Sequence, residues 1–272
     1  MISVIIPASN EEAYIGPCLT ALFAAPGNGA EAVVVANGCR DQTAARARSF
    51  ADMAARNGWD LRVLNLPTGS KPGALNAGDA AARHPIRAYL DADVLVSPPL
   101  IAALATALSG PEPLYATGTA VIPPPRSAIS RAYARFWQQL PFARSAAPGY
   151  GLFATNAAGR ARWADFPDLI SDDTFTRLQF DPAERLHLPQ TYQWPMIEGF
   201  AALSRVRARQ DAGMLQLARL HPDLLLREFK PPLTLTRLLW LAITDPAGFA
   251  AYGAVAVRSR FQVKSTAFTR GR

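Results

Sequence analysis

Hydrophobic and polar positions follow two alternating patterns over the first hundred residues. Short apolar runs of strand length, rich in β-branched residues, occur at 3–6, 32–36, 61–66 and 86–90. Helical patterns occur between and after them, at 17–24, 42–56, 72–83 and 98–108. Strands that alternate with helices build a parallel sheet covered on both faces. The pattern therefore predicts an α/β fold whose strand ends meet at one edge.

The second half of the chain is less regular. Its patterns predict strands at 114–122 and 186–194, helices at 129–140, 172–180 and 199–217, and a glycine-containing segment at 149–153 that leads into a short strand. Two apolar segments, 233–243 and 249–257, follow Pro231 and are separated by Asp245-Pro246. We expect one domain over residues 1–230 and a helical C-terminal extension over residues 231–272.

Composition narrows the class of protein. With 272 residues, half of them hydrophobic, the chain can bury a large core. Its two cysteines suggest neither a disulfide framework nor a zinc site, and the apolar opening has no basic leader, so we expect a cytoplasmic protein. No run of eighteen apolar residues predicts a membrane span. The net charge is +7, but aromatic residues are not interleaved with the basic ones, so we expect no nucleic-acid partner.

Candidate chemistry begins with Asp91 and Asp93, which directly follow the fourth predicted strand. Two carboxylates one residue apart can both turn toward a hard cation where the strand end bends. Mg²⁺ and Mn²⁺ accept few protein carboxylates together with phosphate oxygens. An Asp-x-Asp pair is also common on solvated strand ends, so this motif needs support from the rest of the chain.

Three further polar segments follow predicted strands, at 7–12, 37–43 and 69–78. In an open parallel sheet, all of them reach the same carboxyl edge as the two acids. They offer acceptors for a base and ribose and a lysine for phosphate, and together with the acids they predict a nucleotide-diphosphate pocket. Each polar segment could instead cap a helix, a role that is compatible with ligand binding.

These four segments resemble glycosyltransferase family 2, whose members have the GT-A fold. The resemblance rests on the opening Ser3-Val4-Ile5-Ile6-Pro7-Ala8-Ser9-Asn10-Glu11-Glu12, on segment 33–43, on the lysine-glycine-asparagine loop at 71–78 and on Asp91-Ala92-Asp93. It extends to about residue 210. It implies a mostly parallel, Rossmann-like sheet between helices and an inverting enzyme that uses a nucleotide-diphospho-sugar, a hydroxyl acceptor and Mg²⁺ or Mn²⁺.

The resemblance also implies roles for individual residues. Four would line the nucleotide base and ribose, namely Pro7, Ala8, Asn10 and Glu11. Asn37 stands where the family often has an acid that contacts the base, which leaves the identity of the base open. Lys71 would lie near the base or phosphates. Asp91 would contact ribose, sugar or metal, and Asp93 would hold the metal.

Residues farther along complete the implied site. Asp172 and Asp173 fall where the family has its acidic pair at a helix start, and we expect Asp173 to be the base, with only one of the two pointing into the cleft. Acids at a helix start are also favoured by the helix dipole alone. Arg205 and Arg207 resemble a basic cluster that helps to hold diphosphate. His221 is the candidate third metal ligand, although a surface or core position is the commoner role of a lone histidine.

Two other functions remain open at this point. A nucleotidyltransferase could share the sheet and the acid pair, but it should have a basic glycine-rich loop where this chain has Pro7-Ala8-Ser9-Asn10-Glu11. A catalytically dead scaffold could keep the fold without the chemistry.

The apolar segments after Pro231 also have more than one interpretation. They would pack on the domain, pack on a second subunit in a homo-oligomer, or lie on an anionic membrane surface as a peripheral contact at the inner face. In the last case a set of basic residues would lie near headgroups, namely Arg258, Arg260, Lys264, Arg270 and Arg272.

Overall fold

The computed structural model describes residues 1–144, 147–229 and 231–262. In these ranges the strands are β1 (Ile2–Ala8), β2 (Glu31–Asn37), β3 (Asp60–Leu66), β4 (Ile86–Leu90), β5 (Leu95–Val96), β6 (Tyr115–Val121), β7 (Leu152–Thr155) and β8 (Arg185–Gln193). The α-helices are α1 (Glu12–Phe23), α2 (Thr43–Arg48), α3 (Ala51–Arg56), α4 (Lys71–Ala81), α5 (Leu100–Ala107), α6 (Ala128–Trp137), α7 (Ala157–Arg160), α8 (Asp172–Arg177), α9 (Phe200–Leu220), α10 (Leu235–Thr244) and α11 (Pro246–Arg260). Short 3-10 helices occupy Pro141–Arg144, Pro182–Glu184 and Pro222–Arg227.

The strands form one mixed sheet in the order β3-β2-β1-β4-β7-β6-β8-β5. The first four positions are parallel, so the loops after β1, β2, β3 and β4 all leave the same edge. β7 pairs antiparallel with both β4 and β6, and β8 runs parallel to β6. The predicted α/β fold with a mostly parallel sheet is confirmed, and the antiparallel part brings β7 alongside the acid-bearing strand β4.

Close packing between α4 and the sheet fixes the start of that helix. Gly78 faces β1 so closely that an added Cβ would lie 2.4 Å from the Cγ2 methyl of Ile5. Ser70 caps the helix by accepting a hydrogen bond from the backbone of Gly73. Because Lys71 is the first residue of α4, the cap and the small contact residue together hold this lysine at the sheet edge.

Two predicted helices differ from those observed. α1 starts at Glu12, which puts Pro17 inside the helix rather than near its first turn. The reason is tertiary, because Thr43 and Asp41 side chains accept the backbone N–H groups of Glu11 and Glu12 and so fix the helix start. The predicted helix over 42–56 is two short helices, α2 and α3, separated at residues 49–50.

The C-terminal helices pack on the second half of the domain. α11 lies against α6 and α9, where Tyr252 stacks on Tyr133. Arg135 on α6 donates hydrogen bonds to both carboxylate oxygens of Asp245, which also caps α11. Within the described ranges, no single helix is both long enough and apolar enough to cross a bilayer. α10 and α11 meet that test only as a pair bent by 119°.

Candidate active site

Lys71 joins two distant parts of the chain at the carboxyl edge of the sheet. Its Nζ lies 3.1 Å from Asp91 Oδ1 and 3.1 Å from Asp172 Oδ2. Asp91 follows β4, whereas Asp172 is the first residue of α8. The lysine therefore links the predicted donor-binding edge with the predicted acidic pair.

The charges around Lys71 do not balance. Asp173 adds a third carboxylate to the field of one ammonium, and although burial lowers the pKa of Lys71, the charges of Asp172, Asp91 and Asp173 raise it well above its ordinary value. Burial raises the pKa of Asp172 above the usual carboxyl range, against the opposing effect of Lys71. The site consequently carries surplus negative charge, which favours binding of a further cation.

Asp91 and Asp93 lie on a tight turn directly after β4, where the backbone N–H of Val94 donates to the carbonyl of Asp91. Beneath this turn is the buried thiol of Cys18 on α1. Burial raises the pKa of this thiol, and the charges of Asp93, Asp91 and Glu11 raise it further. All three carboxylates are thus near enough to Cys18 to act on its charge, and Asp91 and Asp93 lie on the same side of the sheet edge as the loop after β1.

The loops after β1 and β2 are joined by reciprocal hydrogen bonds. Asn10, which has a positive φ of 52°, accepts from the backbone of Arg40, and the backbone of Asn10 lies against Cys39 Sγ. The Glu11 backbone donates to Thr43. These contacts hold predicted base- and ribose-lining residues in a fixed loop rather than a mobile one.

Asn37 is buried and connects two loops of the pocket region. Its side chain is 2% exposed, donates to the carbonyl of Ala8 and accepts from the backbone of Ser70. It thereby ties the end of β1 to the N-cap of α4. In this structure the position that the resemblance assigns to base recognition is a link between two loops of the pocket.

A pocket opens where these elements meet. Its lining comprises Pro7, Lys71, Leu75, Tyr89, Leu90, Asp91, Gly149, Gly151, Phe153, Asp172 and Asp173. Both acids of the pair line it, whereas the sequence led us to expect only one of them to point into the cleft. Asp172 faces Lys71, and Asp173 accepts a hydrogen bond from the backbone of Thr174.

Two glycines in this lining have backbone conformations that other residues adopt with strain. Gly149 and Gly151 have φ values of 73° and 68°. A Cβ on Gly151 would lie 2.7 Å from Val94 and 3.0 Å from Trp194, and the Gly151 carbonyl accepts the backbone N–H of Asp91. The glycine-containing segment is therefore part of the pocket wall, and it positions Asp91.

Of the predicted site residues, Pro7, Lys71, Asp91, Asp172 and Asp173 are in this lining, and Ala8, Asn10, Glu11, Asn37 and Asp93 are in the adjoining loops and strand ends. The three that follow α8 in the chain make contacts outside the lining. Arg207 donates hydrogen bonds to Asp211 and to the hydroxyl of Tyr252 on α11, and Arg205 is exposed; neither is part of the pocket lining. The His221 ring packs edge-on against Phe175, at 5.2 Å between centroids. In the described part of the chain, no group of three or more His, Cys, Asp or Glu side chains is arranged to hold a metal.

Two supporting contacts have no counterpart in the sequence analysis. Asn76 donates to and accepts from the backbone of Phe166, which ties α4 to the segment before α8. Arg177 at the end of α8 forms a two-pronged ion pair with Glu228, beyond α9. Asn76 belongs to the lysine-glycine-asparagine motif, so the sequence did mark it as a candidate functional residue. Nothing in the sequence around Glu228 indicates that it pairs with Arg177.

A divalent cation fits the charge and chemistry of this site. Oxygen ligands from Asp91 and Asp93 suit Mg²⁺ or Mn²⁺, and such ions complete their shell with substrate phosphates rather than with a full protein cage. Without a cation, the surplus carboxylates would repel a diphosphate.

Comparisons with known proteins bear on the family and the fold. Residues 3–165 match the sequence model of Glycosyl transferase family 2. No curated protein matches the chain.

Solved structures share the fold at low sequence identity. The mannosyltransferase PcManGT from Pyrobaculum calidifontis, in complex with GDP-Man and Mn²⁺, is 22% identical, with a TM-score of 0.62 over 96% of this chain and 75% of that one. S. aureus TarS 1-349 with UDP-GlcNAc is 18% identical, with a TM-score of 0.56 over 95% and 81%. Glucosyl-3-phosphoglycerate synthase from Mycobacterium tuberculosis, with Mn²⁺, UDP and glucosyl-3-phosphoglycerate, is 20% identical, with a TM-score of 0.54 over 79% of each chain.

Proposed function

The chain belongs to glycosyl transferase family 2, and from that membership we propose that it transfers a sugar, with inversion, from a nucleotide-diphospho-sugar to an acceptor hydroxyl. The observation that carries the proposal is Lys71, which is shared by Asp91 after β4 and Asp172 at the start of α8. This contact joins a diphosphate-binding edge to a carboxylate pair, the two parts that such a transfer requires. Structures of the same fold that contain GDP-Man, UDP-GlcNAc or UDP support a nucleotide-linked donor.

The proposed reaction is a single displacement. The acceptor oxygen bonds to the anomeric carbon as the bond from that carbon to the diphosphate oxygen breaks, and the hydroxyl proton passes to Asp173. Asp173 suits the role of base because it lines the pocket and is less buried than Asp172, whose carboxylate is engaged by Lys71. Lys71 adds positive charge beside the departing diphosphate.

We propose Mn²⁺ or Mg²⁺ as the cofactor, held by Asp93 and Asp91. When bound, such an ion neutralises charge on the leaving diphosphate. Mn²⁺ in two structures of the same fold supports this choice. The surplus of carboxylates in this chain supports it independently, because Lys71 alone offsets only part of their charge.

The deciding experiment measures nucleotide binding and donor hydrolysis with and without Mn²⁺. A thermal-shift screen of nucleotide diphosphates should show stabilisation that depends on Mn²⁺, since binding to the folded state raises its apparent stability. Asp93→Ala should lose the Mn²⁺-dependent part while remaining folded. Asp52→Ala, on the outer helix α3, is the matched control and should behave like the unmodified protein.

Three outcomes distinguish the proposal from its alternatives. Donor hydrolysis that requires Mn²⁺ supports a glycosyltransferase, and nucleotide binding without any turnover indicates a scaffold. Release of pyrophosphate from a nucleoside triphosphate and a sugar phosphate would indicate a nucleotidyltransferase. Unchanged Mn²⁺-dependent affinity in a folded Asp93→Ala protein would remove Asp93 from the metal site.

A further inference from the structure

One side of α10 exposes large apolar side chains. In the described part of the chain, such residues are concentrated after residue 214. The α10 apolar face consists of Leu235, Leu239, Trp240 and Ile243, which are 69%, 55%, 49% and 81% exposed. Their spacing places them within about 140° of arc on a helix that turns about 100° per residue. They therefore form one stripe rather than scattered apolar positions.

The opposite side of α10 is already used for packing. Leu241 is fully buried and Leu238 packs with it against Phe136 and Leu140. A helix that is apolar on all sides normally lies in a protein core or in a membrane, because an uncovered apolar stripe is costly in water. α10 has one side in the domain, so the α10 apolar face needs a second environment that is also apolar.

Charge decides between the candidate environments. Residues 229–272 contain one acid, Asp245, which is paired with Arg135. The same segment contains seven basic residues, which are Lys230, Arg237, Arg258, Arg260, Lys264, Arg270 and Arg272. Four of these, Lys230, Lys264, Arg270 and Arg272, lie outside the described residues. Two copies meeting at α10 would bring like charges together, whereas an anionic surface would be attracted.

Arg237 and Trp240 have the arrangement expected at a lipid surface. The Arg237 guanidinium lies over the Trp240 ring, 4.3 Å from its centroid. Tryptophan favours the boundary between headgroups and acyl chains, and arginine beside it reaches the headgroup phosphates. The stripe and its charged rim together match the pattern of a helix that lies in the plane of a membrane interface.

We propose that the α10 apolar face inserts into the interface of an anionic lipid bilayer and attaches the enzyme to it peripherally. This helix is too short to span the bilayer, because ten residues rise about 15 Å and a bilayer core measures about 30 Å. The inference is independent of the transfer reaction, since it uses no residue of the pocket.

Vesicle cosedimentation of the full chain tests the proposal. The probes are phosphatidylcholine vesicles with and without phosphatidylglycerol, at low and high salt. The unmodified protein should bind the anionic vesicles, and high salt should weaken binding. Leu239→Ser combined with Ile243→Ser should reduce partitioning by about tenfold or more, because each buried leucine or isoleucine contributes strongly. Arg237→Gln should reduce it on the order of fivefold.

Val121→Ser is the matched control, because Val121 is also exposed, at 44%, but lies at the end of β6. It should bind vesicles like the unmodified protein. Thermal melts check that the variants fold, and Arg237→Gln keeps the test valid should the double serine variant unfold.

Two results would overturn the proposal. One is equal binding of the unmodified protein to neutral and anionic vesicles, or no binding to either. The other is concentration-dependent self-association that the double serine variant abolishes, which would identify a second copy of this chain as the partner of the α10 apolar face.

Discussion

Lys71 is the residue on which the two halves of the pocket depend. Two carboxylates from separate segments contact its Nζ at the same distance, 3.1 Å, and both line the same cavity as the lysine itself. A motif comparison treats Lys71 as a donor ligand alone. The structure adds a second consequence, because the same ammonium fixes Asp172 and thereby orients the start of α8 next to the predicted base.

The first residue-scale prediction separates the two acids of α8. Asp173→Asn should slow transfer by about 10² to 10⁴, the usual cost of removing a general base. It should leave donor and metal binding unchanged. Asp172→Asn should slow transfer less, because Asp172 positions Lys71 rather than accepting the proton. Initial rates at saturating donor, together with nucleotide affinity measured by calorimetry, check both variants.

Comparing the two rate losses identifies which aspartate is the base. A larger loss in Asp172→Asn would make Asp172 the base. A loss below about tenfold in both variants, well under the range for a general base, would mean that the pair only begins a helix.

The second residue-scale prediction uses pH. Burial raises the pKa of Asp172 above its value in the unfolded chain. The folded state then binds more protons than the unfolded state as pH rises from about 4 toward neutrality, so this residue lowers the free energy of unfolding over that window. Asp172→Asn removes the proton uptake, so the variant should gain stability relative to the unmodified protein as pH rises, by an amount on the order of 1 kcal/mol.

Urea unfolding of both proteins at several pH values measures this difference. The opposite trend, with the unmodified protein gaining on Asp172→Asn as pH rises, would show that Lys71 outweighs burial and lowers the pKa of Asp172. Asp165→Asn, an exposed acid in the segment before α8, serves as a control and should leave the pH profile unchanged.

At the scale of elements, α8 is held at its far end by a buried ion pair. The Arg177 side chain is 3% exposed. Its partner Glu228, which follows α9 in the chain, has a side chain that is 17% exposed. Glu228→Ala would leave the buried guanidinium unpaired, which typically costs about 3–5 kcal/mol. We therefore expect a large drop in the free energy of unfolding, together with slower transfer, because Arg177 lies one helical turn after Asp173.

A similar pair elsewhere in the chain provides the control. Arg162 and Glu184 also make a two-pronged contact, but their side chains are 27% and 26% exposed. Glu184→Ala should lower the free energy of unfolding by no more than about 1 kcal/mol, because water screens this exposed pair and can solvate the arginine that remains. Equal costs for the two variants, measured by urea unfolding, would refute a special role for the Glu228 contact.

These contacts explain which elements the sequence predicts well. β4 begins and ends where its apolar run does, because a strand buried on both faces leaves its pattern in consecutive residues. The start of α1 was misplaced, because side chains of Thr43 and Asp41 determine it from another loop. Local patterns do not contain such long-range contacts.

The candidate site divides in the same way. The lysine and the Asp91/Asp93 pair follow strands directly, so strand order alone places them at one edge. The position of Arg207 depends instead on which side of α9 meets α11, where Tyr252 accepts its hydrogen bond. Family resemblance assigns it to the diphosphate, which stays a prediction, and its contact with Tyr252 could not be predicted from either helix alone.

At the scale of the whole molecule, the pocket and the C-terminal helices occupy different parts of the structure. Every lining residue of the pocket lies before residue 174, whereas α10 and α11 pack on α6 and α9. The helices that follow the predicted boundary at residue 230 contribute no residue to this lining. The boundary does not separate two independently packed bodies, since Asp245 and Tyr252 both contact residues before it.

The last prediction concerns removal of residues 231–272. The truncated chain should keep Mn²⁺-dependent nucleotide affinity within about threefold, a loss of less than 1 kcal/mol, because no pocket-lining residue is removed. It should melt at a clearly lower temperature, because Tyr133, Phe136 and Leu203 lose the side chains that cover them. Tyr252→Ala in the full chain is the milder counterpart and should shift melting in the same direction at unchanged nucleotide affinity. Thermal melts and calorimetric titration measure both quantities. A folded truncated protein, or a folded Tyr252→Ala protein, without nucleotide affinity would contradict the prediction and show that α11 supports the pocket.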